Sequence, residues 1–96
     1  MDFEWDEGKS ALNLERHGIL FRAASEIFLD PQRIEQRSDR QGETRWITTG
    51  LIEGEVWSVV FTTRGRAIRI ISARRARNDE KEGYYRSIHE RGDPAD

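Results

Sequence analysis

Between Glu55 and Ala76 the chain reads EVWSVVFTTRGRAIRIISARRA, and no other stretch limits the fold as tightly. Trp57, Val59 and Phe61 alternate with Ser58 and Val60, which is the two-residue period of a strand. After Arg64-Gly65 comes a second run, Ala67 to Ser72, rich in Ile. A two-residue connection with Gly in second place signals a hairpin. With Arg64-Gly65 as the turn, Thr63 pairs with Arg66, Phe61 with Ile68, Val59 with Ile70 and Trp57 with Ser72. Trp57, Val59, Phe61, Ile68 and Ile70 then share one face, too apolar to stand in water. Ser58, Val60, Thr62, Arg69 and Ile71 share the other. Arg69 is an unusual residue for the middle of an Ile-rich strand. Arg74, Arg75 and Arg77 follow it, and no acid lies between Arg64 and Arg77.

A chain of 96 residues has room for one core, burying roughly 60–65 % of its unfolded surface. One domain over residues 1–96 is expected, with a frayed tail from about residue 91. Without cysteine there is neither a disulfide nor a thiolate metal site. The acidic start MDFEWDEGK is unlike a signal peptide, and no apolar run nears the length of a membrane span. A soluble cytoplasmic protein is the expectation. The net charge of −2 hides an asymmetry. Residues 1–60 hold seven basic and twelve acidic side chains; residues 61–96 hold nine and six, and six of those nine are Arg64, Arg66, Arg69, Arg74, Arg75 and Arg77. Such a balance excludes a general nucleic-acid coat but allows one local site for a phosphate backbone or an acidic partner. A charge-defended strand edge is the plain alternative.

Phe3-Glu4-Trp5 reads as a short edge strand or an apolar plug. Asp6 can cap a helix from Glu7 to His17, with Gly18 as its left-handed stop. Ala11 and Leu14 give that helix a narrow apolar face, while Lys9, Asn13 and His17 form a polar stripe. Phe21, Ala24, Ile27 and Phe28 mark one face of a second helix to Leu29, ended by Asp30-Pro31. Arg33 to Arg37 suggests a short polar strand, and SDRQGE a loop. Arg45 to Ile52, Glu53-Gly54 and Glu55 onward make another hairpin, in which Trp46 faces Phe61, Thr48 faces Val59 and Gly50 faces Trp57. A last helix runs from about Asn78 to Glu90, capped by Asn78, with Tyr84 or Tyr85 and Ile88 as its apolar stripe. The sum is an α+β domain: two N-terminal helices, an antiparallel sheet of three or four strands, and a C-terminal helix.

Several of these residues, in this order and spacing, resemble the BrnT family of bacterial toxins. They are FEWD-x-x-K-x-x-x-N-x-x-x-HG from Phe3 to Gly18, Gly42-Glu43-x-Arg45-Trp46, Gly50-Leu51, and RIISAR from Arg69 to Arg74 with Glu80 and Tyr84 after it. The resemblance implies a RelE-like fold and a type II toxin that cleaves RNA and inhibits translation. It implies no metal and no organic cofactor. The partner it implies is a cognate ribbon-helix-helix antitoxin of the BrnA type in a hetero-oligomer, with operator DNA met only through that antitoxin. Related sequences often carry Thr three residues before the position of Glu80, completing a capping box. Arg77 stands there in this chain, so either Asn78 takes over the cap or the helix starts later.

Metal-free RNA cleavage needs a base for the 2′-hydroxyl, cations for the crowded phosphate and an acid for the leaving oxygen. Arginine suits the middle task, because its planar fork meets phosphate oxygens bidentately. Arg69, Arg74 and Arg64 are the candidates, each with a structural ion pair as the competing role. His17 is a candidate acid or base. Glu80 and Tyr84, one turn apart, could serve the chemistry or tie the last helix to the sheet. Lys9, Arg75 and Arg77 could hold RNA phosphates. A non-catalytic protein-binding module using an open sheet face is the alternative; a DNA-binding regulator is disfavoured, as no helix is strongly basic along one side.

Overall fold

The computed structural model describes residues 1–92. Its elements are strand β1 (Asp2–Glu4), helix α1 (Glu7–His17), helix α2 (Phe21–Ala24) prolonged by a 3₁₀ segment (Ser25–Leu29), strands β2 (Ile34–Arg37), β3 (Trp46–Ile52), β4 (Glu55–Arg64) and β5 (Ala67–Arg75), and helix α3 (Asn78–Gly92). The fold is α+β, as the sequence leads one to expect. The sheet has five strands rather than three or four, in the order β1-β5-β4-β3-β2. The added strand is β1, which pairs parallel to β5 with Glu4 beside Arg69.

Local chemistry accounts for the elements. The Asp6 side chain accepts the Lys9 N–H at 3.0 Å and starts α1. Gly18, at φ 80°, ends it, and its N–H donates to the Leu14 carbonyl. Arg91 and Gly92 belong to α3, so that helix outlasts its expected end at Glu90; the expected frayed tail otherwise falls on residues 93–96, outside the described ones. Asn78 is the first residue of α3 and not its cap, because the Arg77 carbonyl already accepts the Lys81 N–H. Glu80 still reaches back to the Arg77 N–H at 2.8 Å, so half of the capping box forms without its Thr.

The β3–β4 hairpin has the expected register, with Trp46 opposite Phe61, Thr48 opposite Val59 and Gly50 opposite Trp57. Glu53 and Gly54, at φ 48° and 83°, form its two-residue turn, a type I′ pattern whose twist suits a hairpin. The β4–β5 hairpin differs. Arg64 pairs with Ala67, so the turn is Gly65-Arg66, and Phe61 faces Ile70 instead of Ile68. Gly65 alone has positive φ, which places Gly first in the turn rather than second. Further along, Val60 faces Ser72, Val59 faces Ala73 and Trp57 faces Arg75, leaving Ile71 as the extra residue of a bulge.

The expected apolar face is nonetheless the buried one. Trp57, Val59, Phe61 and Ile70 pack under Ile19, Phe21, Ala24, Ile27 and Phe28, with Trp46 and Ile68 partly buried at the edge. The rings of Phe28 and Phe61 meet edge to face at 5.1 Å. On the second face, Val56, Ala76 and Tyr84 form a smaller cluster with Ile34, Leu51 and Ile88. Of the two tyrosines, Tyr84 is buried and Tyr85 exposed.

Both flanks of the sheet are closed by side chains where a neighbouring strand stops short. Beyond β1, the Asn13 amide donates to the Ala73 carbonyl at 3.0 Å, while its oxygen accepts the Ala73 N–H at 3.1 Å. The carboxamide thus imitates a strand and bolts α1 to β5. Beyond β2, the Asp30 carboxylate accepts the Leu51 N–H at 2.9 Å and the Tyr84 hydroxyl at 2.5 Å.

A basic strip along strand β5

The bulge at Ile71 decides which arginines share a face. Strict alternation along β5 would put Arg74 on the buried face, opposite in sense to Arg69. One extra residue flips the far half of the strand. Arg69, opposite Thr62, and Arg74, opposite Ser58, therefore both lie on the second face, with Ser72 opposite Val60 between them. Arg69 is not opposite Val60, as a turn at Arg64-Gly65 would require. Arg64 shares this face by alternation along β4. It lies diagonal to Arg69, a relation that brings residues within roughly 7–8 Å.

The two central arginines are held differently. Arg69 Nη1 meets the Glu4 carboxylate at 2.9 Å, with side-chain exposures of 27 % and 38 %. An ion pair this open contributes only about 0–1 kcal/mol. Arg74 meets Glu80 bidentately, at 2.7 Å and 3.0 Å, and these side chains are 21 % and 10 % exposed. Ser58 Oγ donates to Glu80 at 3.0 Å and accepts the Thr49 hydroxyl at 2.8 Å. Burial works to raise the Glu80 carboxyl's pKa, but Arg74, the Arg77 N–H and Ser58 overcome it and bring it down to about 2. The same pair raises the Arg74 guanidinium above its ordinary value. Glu80 is thus a permanent anion that fixes Arg74. Tyr84 is moved upward, by burial and then by its bond to Asp30. Its hydroxyl is a tether between α3 and the end of β3.

Helix α1 supplies the other side of the strip. Lys9, Leu12, Asn13, Arg16 and His17 line a shallow groove of about 270 Å³ together with Ile71 and Ser72 of the bulge. Lys9, Arg16 and His17 are exposed there, whereas Asn13 is buried. The polar stripe expected on α1 is therefore half cationic wall and half structural bolt. Arg16 was not singled out by the stripe, although it lies seven residues after Lys9 and so on the same side of the helix. Arg75 and Arg77 are set apart from the strip. Arg75 stacks over Trp57 at 4.9 Å on the buried face and pairs with Glu55. Arg77 is exposed at the start of α3. Among the described residues no three His, Asp or Glu side chains gather as a metal site would require.

A model of the family described as the ribonuclease toxin BrnT of type II toxin–antitoxin systems matches residues 5–80. The chain belongs to this family. No curated protein matches it in sequence. The BrnT match spans α1, the bulged strand and Glu80, the last matched residue. Glu4 and Tyr84 lie outside it, so the counter-ion of Arg69 and the α3 tether come from flanking segments. Membership makes this BrnT chain a ribonuclease toxin of a system that also contains an antitoxin. Among the described residues no helix is long and apolar enough to cross a membrane.

Proposed function

We propose that the chain is a metal-independent endoribonuclease whose site is the groove between α1 and β5, continued by Arg69 and Arg74. The observation that carries this reading is the joint placement of Lys9, Arg16 and His17 opposite Ser72, on a strand whose bulge turns Arg69 and Arg74 to one face. In the proposed reaction the 2′-hydroxyl of the RNA attacks the adjacent phosphorus. The 5′-oxygen of the next nucleotide leaves, and the products are a 2′,3′-cyclic phosphate and a 5′-hydroxyl. Arg69 is the phosphate fork, because the two non-bridging oxygens of a phosphodiester can displace Glu4 from so exposed an ion pair. Arg74, neutralised and locked by Glu80, sets a fixed end to the site through its remaining N–H donors, and Arg64, Lys9 and Arg16 hold flanking phosphates.

His17 is the proposed proton carrier. Imidazole is the side chain that titrates near neutrality, whereas a carboxylate brought to about 2 is a weak base and never an acid at neutral pH. Tyr84, pushed upward and tied to Asp30, is equally unsuited. In the cell, on this reading, a cytoplasmic toxin stops translation by cutting RNA. A BrnA-like ribbon-helix-helix antitoxin neutralises it in a hetero-oligomer by laying acidic side chains on Arg69, where Glu4 already shows the geometry. The test is cleavage of RNA by purified protein in excess EDTA. Cyclic-phosphate ends should form, and a folded His17→Ala variant should lose a factor of about 10²–10⁴. Cleavage that needs a divalent ion, or that survives in the variant, would overturn the assignment. A wild-type protein that binds antitoxin but cuts no RNA would instead be a binding module.

A further inference from the structure

A second surface lies on the other side of the sheet from Arg74. Leu14, Ile19, Leu20, Ala23, Ile52 and Trp57 line an open groove of about 350 Å³, with Glu53, Glu55 and Arg75 at its rim. Leu14 and Leu20 are 47 % and 43 % exposed, although Ile19 and Phe21 on either side of Leu20 are buried in the core. Exposed leucines that converge on a groove mark a docking surface more than scattered ones do. The tryptophan wall is fixed in place, since Arg75 stacks on it and is itself held by Glu55. That pairing neutralises Arg75 and Glu55 together and leaves Glu53 as the net charge of the rim.

Glu53 is the odd residue. It occupies the first position of the type I′ turn at φ 48°, where Asn, Asp or Gly is preferred and a longer side chain is strained. Among the described residues its carboxylate has no hydrogen-bond or ion-pair partner, and it is exposed. A strained residue with an idle charge at the lip of an apolar groove is a reason to look for what it binds.

We infer that this groove docks the antitoxin, through a segment that places a large apolar side chain on Trp57 and Leu20 and a lysine or arginine on Glu53. The inference rests on the toxin–antitoxin reading for its occupant. The rim's single uncompensated charge sets the partner's sign, and this contact is separate from the acidic one at Arg69. Neither Leu20 nor Glu53 belongs to the proposed cleavage site.

Two variants test the inference, Leu20→Asp and Glu53→Asn, each with the antitoxin encoded beside the toxin gene. Toxicity alone, rescue by co-expressed antitoxin, binding constant, thermal midpoint and sedimentation are measured together. Both variants are expected to stay folded and toxic, while antitoxin binding falls at least tenfold and rescue weakens. Glu53→Asn is expected to raise the thermal midpoint even as it weakens binding, a divergence that a purely structural role for Glu53 would not produce. Unchanged binding in both variants overturns the inference, and so does wild-type protein that fails to bind the antitoxin. A wild-type dimer dispersed by Leu20→Asp would also overturn it and assign the groove to a second copy of the chain. Loss of toxicity in the wild type alone, with groove-dependent binding intact, would count against the ribonuclease reading and leave the inference standing.

Discussion

Glu80 receives four hydrogen bonds, two from Arg74 and one each from Ser58 and the Arg77 N–H. Its folded pKa of about 2 lies below the ordinary 4.5. A carboxyl depressed in this way stabilises the fold fully above its unfolded pKa and ceases to as the pH falls through the folded one. Stability is therefore expected to drop between about pH 4.5 and 2, and Glu80→Gln should flatten that slope while costing about 2 kcal/mol at neutral pH. Denaturant melts of both proteins across this range check it; parallel slopes would mean that Glu80 is not the group responsible. Glu4 gives the opposite case. Freeing Arg69 by Glu4→Gln should tighten RNA binding by a factor of about 2–5, the scale of one exposed ion pair. Weaker binding in a filter or fluorescence titration would show that Glu4 orients Arg69 instead of competing with phosphate.

At the scale of elements, the α1–β5 junction depends on one carboxamide. Asn13→Ala leaves the Ala73 N–H and the carbonyls of Ala73 and Ile19 without their partner and should cost about 3 kcal/mol, read by chemical denaturation. A loss under about 1 kcal/mol would mean that water takes over the bolt's role. The two hairpins show which parts of the fold were legible in the sequence. In β3–β4 the turn pair Glu53-Gly54 and the alternation of Trp46, Thr48 and Gly50 agree, so the register follows. In β4–β5 the glycine does not say whether it stands first or second in the turn, and the Ile71 bulge has no period to detect. The core is insensitive to both, because the turn shift is two residues in register and keeps the faces, and Ile68 and Ile70 precede the bulge. The face of Arg74 did not follow from the pattern, since it lies beyond the bulge. Asn13 looked like part of a solvated stripe because its partner, the unpaired backbone beyond β1, exists only in the folded sheet. Phe61→Ala, a fully packed site under Phe28, should still cost about 3–5 kcal/mol.

Across the whole molecule, chain segments far apart in sequence converge on β5. It carries the arginines, β1 supplies Glu4, α1 supplies Lys9, Arg16 and His17, and α3 supplies Glu80. The charge asymmetry between the first 60 residues and the remainder becomes, in space, a basic strand met by acids from both ends of the chain. The same strand ends at Arg75, beside the groove inferred to take the antitoxin, so one element connects the proposed catalytic and regulatory surfaces. The site's central claim is that Arg69 acts on the phosphate as a fork and not merely as a charge or a strut. RNA cleavage and thermal stability, measured on the same purified Arg69→Lys and Arg69→Ala proteins in EDTA, test it most directly. The expectation is slower cleavage in both, with Ala down by about 10²–10³ and Lys less affected, and thermal midpoints near that of the wild type. Full cleavage by a folded Arg69→Ala protein would contradict the account and remove Arg69 from the site.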